Sequence, residues 1–468
     1  MGDTTATPRT PAIAASAGLA KLATYPFLIL TYVDDSGYPV SVAIEAAVQT
    51  ETKTATFDSP AGLAVPAGVD VSLTGSHIRP QPGYGYDERR HVTVWGRAAT
   101  AGRRVTFSAA RAWGWDEAEV PFFEYSERSL GQSKKYFDAL SAERGTPVKP
   151  KLSLGWLALR TTRLPFLSAT IVPVILGIVI AARQGSFDLL TAVLTVIGSA
   201  FVQLGLNVAN DVFDSAQGAD EANVTPTQYS GGSRVIQYGL VSFRQMAGLA
   251  TIFYVGAGVI GLVLLALRGS PELLIIGVAG FIVSIGYTAP PLKFVYRGLG
   301  EIAVAVGFGP LMLVGAYVVQ TRGALSWEPF VASLPIALLV MLILYVNEIP
   351  DRRGDARVGK RTLPVRLSKP TVIAGYRGAA IAAYVIVVAG VVVGVLPIPA
   401  LLALLTIPLA RQVSRGLEPN YDNPYGLMAI MGVNVKVHLY AGLLLLAGYA
   451  LVLVLGALVP SVSLFVGR

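Results

Sequence analysis

The sequence predicts a two-part chain, a small all-β barrel with a flanking helix followed by an all-α polytopic membrane bundle of about nine transmembrane helices. Three observations carry this expectation. Of 468 residues, 53% are hydrophobic and only 14% charged, which is far outside the range of soluble domains. Charged and turn-forming residues recur up to about Ser153, whereas long apolar runs dominate after Leu164. The hydrophobic period also changes, from alternation in the first part to membrane-length runs in the second.

Residues 1–17 read as a disordered tail, without the charged start and apolar stretch of a signal peptide. Period-two runs follow at 26–33, 39–48, 54–57, 69–78, 91–99 and 104–110, rich in β-branched and aromatic residues as strands are. The turn segment DDSG at 34–37 joins the first two as a hairpin. Six short strands with intervening turns indicate a small antiparallel barrel, a domain spanning 18–145 once the helical segment from Ser126 to Glu143 is included. The Pro/Lys stretch TPVKPKLS falls in a linker, 146–163, and the membrane part runs from 164 to 468.

In that part, stretches able to cross about 30 Å of hydrocarbon lie near 164–182, 189–209, 246–267, 272–289, 300–320, 329–346, 373–395, 397–410 and 438–460. The odd-to-even connections hold only Arg183, Arg268 and Arg322, while the even-to-odd ones hold Arg234, Arg244, Lys293, Arg297, the dense set from Arg352 to Lys369, Arg411, Arg415 and Lys436. Lys and Arg excess marks the cytoplasmic side, so those loops and the N-terminal domain are expected in the cytoplasm of a multi-pass cell-membrane protein. The formal charge of +8 then reflects loops beside lipid headgroups, and nucleic acid is excluded as a partner. With no cysteine and three histidines, thiolate chemistry is ruled out and a histidine metal site has little to draw on.

Two of the cytoplasmic connections begin with acidic residues still in helical register. In NVANDVFDSAQGAD, Asn207, Asp211 and Asp214 are spaced i, i+4, i+7, with Asn210 and Asp220 beside them. In NEIPDRRGDARVGKRTL, Asn347, Asp351 and Asp355 are spaced i, i+4, i+8. Each set shares one helix face. Stacked carboxylates repel unless a cation sits between them, and hard oxygen ligands that leave positions open suit Mg2+ bridging to phosphate. Neighbouring segments add cations: Arg234 in GGSRVIQYG, Lys293 and Arg297 in YTAPPLKFVYRGLGE after Tyr287, and Lys360 with Arg361. A transporter would hold its charges near the midplane rather than at span ends.

These segments, in their order and spacing, resemble the UbiA superfamily of intramembrane aromatic prenyltransferases over about residues 153–468. The resemblance implies a nine-helix bundle that transfers a prenyl group from a Mg2+-bound prenyl diphosphate to an aromatic acceptor within the lipid bilayer. It implies that Asp211, Asp214, Asp220, Asp351 and Asp355 hold Mg2+. Lys293, Arg297, Lys360, Arg361 and Arg234 would meet the diphosphate, with Asn207, Asn210, Tyr287 and Asn347 also lining the substrate site. The first motif departs from the family form NDxxDxxxD, because Gly218 stands where the third acid belongs and Asp220 comes two residues later. That offset, with GGSR and GKRTLPVRL, looks like the branch acting on 1,4-dihydroxy-2-naphthoate in menaquinone synthesis; other lipid or aromatic acceptors stay open.

The hairpin LATYPFLILTYVDDSGYPVSVAIEAAV and the helix ERSLGQSKKYFDAL look like the pyridoxamine-phosphate-oxidase-like split barrel over about 18–143. That resemblance implies FMN or a deazaflavin as cofactor and a homodimer through this domain; Arg79, Arg89, Arg90 and Lys134 read first as solvated surface charges and, as the alternative, as contacts to a flavin phosphate. It leaves a membrane-anchored flavin oxidoreductase as the alternative reading, one that gives no reason for two carboxylate clusters.

Overall fold

The computed structural model describes residues 12–81, 85–150 and 152–458. The chain divides into two compact units, Met1–Ser126 and Glu127–Arg468.

The first unit is one antiparallel sheet. Its strands are β1 (Ala12–Ile13), β2 (Leu28–Val33), β3 (Pro39–Ile44), β4 (Ala47–Gln49), β5 (Thr54–Asp58), β6 (Asp70–Gln81), β7 (Gly85–Ala101) and β8 (Arg104–Asp116). Their order is β3-β2-β6-β7-β8-β5-β4, with β1 on β8, which curls into a half-barrel. Alternation drives the curl, since Leu28, Leu30 and Tyr32 of β2 and Val71 and Leu73 of β6 all face one core. The expected hairpin is present: Asp34 Oδ1 accepts from the backbone of Ser36 and Tyr38, both at 2.9 Å, and Gly37 has φ +82°. The run expected as one strand over 39–48 is broken after Ile44, and its two halves pair with β2 and β5 at opposite edges of the sheet.

Part of the stretch expected as a tail is structured. Residues 1–11 lie outside the described part, but β1 pairs with β8 and helix α1 (Ala15–Leu22) buries Leu19 and Leu22 completely. Small residues make this packing possible, because a side chain at Gly18 would meet the Ala112 Cβ at 2.3 Å.

The helix α2 (Phe122–Arg144) carries the chain from the first unit into the second. There follow α3 (Leu154–Thr162), α4 (Ser168–Arg183), α5 (Leu189–Ala216), α6 (Phe243–Arg268), α7 (Pro271–Gly286), α8 (Gly300–Thr321), α9 (Trp327–Arg357), α10 (Lys369–Val392), α11 (Ile407–Asn420) and α12 (Pro424–Leu458). Side-chain caps fix their starts, Asp188 for α5, Ser242 with Gln245 as a capping box for α6, and Ser270 followed by Pro271 for α7.

Six of these, α5, α6, α8, α9, α10 and α12, are long and apolar enough to cross a membrane, so this is a multi-pass membrane protein. Helical structure stands at each of the nine expected positions, but nine full spans are not shown. The 16-residue α4 and α7 rise about 24 Å each, short of hydrocarbon thickness. The eighth stretch, begun by Pro397 and Pro399, winds as a 3-10 helix over Ile398–Thr406 before α11 carries it on to Asn420. At one end of the bundle Arg183 pairs with Glu328 and Arg268 with Asp188. At the other end lie the two acidic clusters.

Candidate active site

The first cluster is set by the end of α5. Asn207 Nδ2 donates to the Thr162 carbonyl at 2.8 Å, and Asn210 Nδ2 donates to Asp214 Oδ2 at 3.2 Å. Asp211 is buried and accepts from the Arg163 guanidinium and from the Ser233 backbone N–H. The helix stops at Ala216, and Gly218 turns the chain in the left-handed region at φ +74° before a single turn over Ala219–Ala222. This reversal buries Asp220 and brings it to the cavity wall that Asp214 also lines. The missing third acid of the motif is thus replaced by a turn. Burial, together with Asp211 and Asp214 nearby, pushes the Asp220 carboxyl well above the usual carboxylate range.

The second cluster lies on the last turns of α9. Asp351 accepts from Asn223 Nδ2 at 2.8 Å and from the Gly231 N–H at 2.9 Å. Gly232 has φ +76°, and a Cβ there would lie 2.8 Å from Asp220 Oδ1 and 3.3 Å from Asp211 Oδ1. Only glycine lets this backbone approach the carboxylates so closely. Lys360 joins the clusters, with Nζ 2.9 Å from Asp214 Oδ2 and 3.7 Å from Asp355 Oδ1. Burial opposes its charge, yet the two carboxylates hold its pKa well above the usual lysine value. Tyr296 completes this corner, its hydroxyl donating to Asp214 Oδ1 at 3.4 Å and its ring 5.3 Å below the Lys360 ammonium.

These groups wall a cavity of about 190 Å3, lined at its polar end by Arg163, Asn207, Asn210, Asp214, Asp220, Asn223, Asn347, Glu348, Asp351, Asp355 and Lys360. Tyr287, Leu206, Gln203, Val304 and Phe308 line it on the other side and also line a second, almost wholly apolar cavity of about 170 Å3 among α5, α6, α7 and α8. The polar chamber therefore adjoins an apolar one.

The expected cations divide into two sets. Lys360 lies in the chamber, whereas Lys293, Arg297 and Arg361 are not among its lining residues. Arg297 is exposed and donates to the Pro291 carbonyl at 2.9 Å, Arg361 is exposed, and the Lys293 ammonium lies 5.2 Å from the Tyr296 ring centre. Arg234 is buried but already bonded to Glu127 and to the Asp220 carbonyl. Glu127 also takes the Tyr238 hydroxyl at 2.8 Å, and burial with this carboxylate pushes that phenol up to about 12. Among the lining residues that escaped the sequence reading are Arg163, Asn223, Glu348 and Gln203. Arg163 sits in the segment expected as linker, and its one signal was a cation immediately before the Leu-Pro that opens the first apolar run.

No group of three Asp, Glu, His or Cys among the described residues forms a preassembled metal cage. Mg2+ does not require one, since it keeps waters and takes one or two carboxylates plus substrate phosphate. A wall holding Asp214, Asp220, Asp351 and Asp355 is a fitting donor set. The flavin expectation fares differently. Arg79 pairs with Asp87 at 2.9 Å and with Glu88 at 3.1 Å. Arg89 is 9% exposed, pairs with Glu117 at 2.6 Å and stacks on Phe122. Of the remaining two, Arg90 lies 5.8 Å from the Tyr25 ring centre and the Lys134 side chain is outside the described part. Two of the four candidate phosphate contacts, Arg79 and Arg89, are thus already engaged by carboxylates of the same sheet unit.

Residues 170–435 match the model of the UbiA prenyltransferase family. The chain is 28% identical to the 2-carboxy-1,4-naphthoquinone phytyltransferase of Synechocystis, over 63% of this chain and 92% of that one. It is 26% identical to the 1,4-dihydroxy-2-naphthoate octaprenyltransferase of Bacillus subtilis, over 65% and 95%. Among solved structures, a UbiA homologue from Archaeoglobus fulgidus bound to GPP and Mg2+ is 13% identical with a TM-score of 0.46, covering 63% of this chain and 99% of that one.

Proposed function

The chain belongs to the UbiA prenyltransferase family, and from that premise we propose that this prenyltransferase moves a polyprenyl group from its diphosphate to 1,4-dihydroxy-2-naphthoate or a related quinone precursor, with Mg2+. The observation that carries the proposal is the meeting of two acidic clusters across Lys360 in a polar chamber that adjoins an apolar one. A prenyl diphosphate has the same division, an anionic head and a hydrocarbon tail. The relatives' names supply the acceptor class, a naphthalene ring bearing two oxygens.

In this reading Asp214, Asp220, Asp351 and Asp355, supported by Asp211, hold Mg2+, which when bound draws negative charge from the diphosphate oxygens. Lys360 and Arg163 are the chamber's fixed cations and stabilise the leaving diphosphate as the allylic C–O bond breaks and its electron pair passes to oxygen. Ser233 N–H and Asn223 keep Asp211 and Asp351 oriented. The apolar cavity between α5 and α8 takes the tail and keeps water from the allylic cation. An electron-rich ring carbon then forms the new C–C bond with the allylic carbon, and the ring regains aromaticity by losing the group on that carbon, a proton or, at the carboxylate-bearing position, CO2. The clusters face the cytoplasm, where soluble prenyl diphosphate synthesis would deliver the donor, and the Lys/Arg distribution supports that orientation.

The test uses the full chain in membranes with labelled geranylgeranyl diphosphate, Mg2+ and a panel of aromatic acceptors. A prenylated naphthalene product is expected, lost with EDTA and in Asp211→Asn and Asp351→Asn. Full activity in both variants would end the proposal, and product formed only on a non-aromatic acceptor would remove the naphthoate assignment.

A further inference from the structure

We propose that Glu127 is a positioning residue of the active site, a carboxylate from outside the prenyltransferase-family region that fixes the loop joining the two acidic clusters. The inference rests on the prenyl-transfer reading above and adds a residue of α2 to the support of its metal site.

One short loop touches both clusters. The Gly231 N–H donates to Asp351 Oδ2 at 2.9 Å, the Ser233 N–H to Asp211 Oδ2 at 3.2 Å, and Gln237 Nε2 to Asp220 Oδ2 at 3.3 Å. The orientation of these carboxylates toward Mg2+ depends on where the loop places its donors. The loop backbone has little reason of its own to stay there. Gly231 and Gly232 lie at φ +75° and +76°, which glycine enters freely but also leaves freely. Arg234 follows at φ +63°, a region that a residue with a Cβ rarely enters and keeps only where its surroundings over-determine it.

Glu127 supplies that constraint. The Arg234 side chain is buried, and its guanidinium spans the Asp220 carbonyl and the Glu127 carboxylate. The other Glu127 oxygen takes the Tyr238 hydroxyl at 2.8 Å. One carboxylate thus holds both Arg234 and Tyr238, and through the guanidinium it fixes the backbone of Asp220, whose side chain lines the chamber. A buried guanidinium stripped of its carboxylate is left uncompensated. Without Glu127, Arg234 would turn to water or to the chamber's own carboxylates, where a fixed cation competes with Mg2+. Glu127 stands 107 positions before Arg234, at the start of the second unit and ahead of the family region 170–435. The family region therefore does not supply the counter-charge that Arg234 uses.

The experiment compares the full chain in detergent as wild type, Glu127→Gln and Arg234→Lys, the last keeping the charge but offering one ammonium where the guanidinium spans two acceptors. Mg2+ is titrated at fixed inorganic pyrophosphate, and the rise in melting temperature is followed. Each variant should need about tenfold more Mg2+ for half the rise, the low end of the loss when the support behind a metal ligand is removed. In steady state the Mg2+ concentration for half activity should rise in step, with the acceptor KM unchanged. Trypsin should cut after Arg234 faster in Glu127→Gln, since cleavage there reports how often the buried loop opens. A purely structural pair would lower the starting melting temperature and leave the Mg2+ midpoint where it is. An unmoved midpoint in Glu127→Gln therefore overturns the proposal, and so does an unchanged rate of cleavage after Arg234. Should Glu127→Gln not fold, an unmoved midpoint in Arg234→Lys overturns it. Wild type that transfers no prenyl group to any acceptor sinks the transfer reading, while the pyrophosphate titration and the trypsin comparison still decide the role of Glu127.

Discussion

Lys360→Met isolates the charge that joins the two clusters. Its ammonium is 9% exposed and faces Asp214 Oδ2 at 2.9 Å and Asp355 Oδ1 at 3.7 Å. Removing one partner of a buried ion pair costs about 3–5 kcal/mol, because the other charge stays buried and uncompensated. Asp214 retains two donors, Asn210 Nδ2 and the Tyr296 hydroxyl, so the low end, about 3 kcal/mol, is expected here. In a thermal unfolding series in detergent the variant should melt clearly below wild type. Added Mg2+ should close part of that gap, since a divalent cation can replace the lost charge between the carboxylates. Turnover should fall by about 10²–10³, the loss that follows removal of one fixed donor at a developing anion. A variant that melts with wild type, gains nothing extra from Mg2+ and keeps its turnover would refute the assignment of Lys360 as the shared counter-charge.

Gly232→Ala forces a side chain into the left-handed region, at about 1–2 kcal/mol, and drives a methyl against Asp220 and Asp211; activity titrated against Mg2+ should show a higher half-saturation point. Gly280 lines the apolar cavity with open space where its Cβ would be, so Gly280→Leu should shift product formation from long to short prenyl donors when the two compete. In the first unit, His91 lies among Trp113, Trp115 and Tyr125, and burial holds its pKa below the ordinary 6.5. The unfolded chain then takes the extra proton first, so this contribution is complete above the unfolded value and is lost as pH falls through the folded one. Thermal unfolding followed by tryptophan fluorescence should show that loss on acidification, and His91→Phe should flatten it.

Much of the architecture follows from local pattern. Period-two alternation identified each of the six principal strands, and apolar length identified where helices stand. It did not settle how many of them span, because Pro397 and Pro399 turn an apolar stretch into a 3-10 segment. Nor did it detect α1, whose small residues pack on β8 without a strong apolar stripe.

The two carboxylate faces were legible because helical spacing is a property of the chain alone: Asp211 with Asp214, and Asp351 with Asp355, share a face whatever lies opposite. What lies opposite was not legible. Lys360 was one cation among several on nearby loops until folding placed it between Asp214 and Asp355, while Arg297 and Arg361 stayed at the surface. Asp220 looked like a displaced ligand, yet the left-handed Gly218 returns it to the cavity wall. Arg163 and Glu348 carried no periodic signal, since a single residue on an apolar helix or linker becomes part of a site only through its neighbours across the bundle. Spacing along one helix is written into the sequence, but the meeting of charges from different helices depends on packing contacts separated by up to 146 positions in the chain.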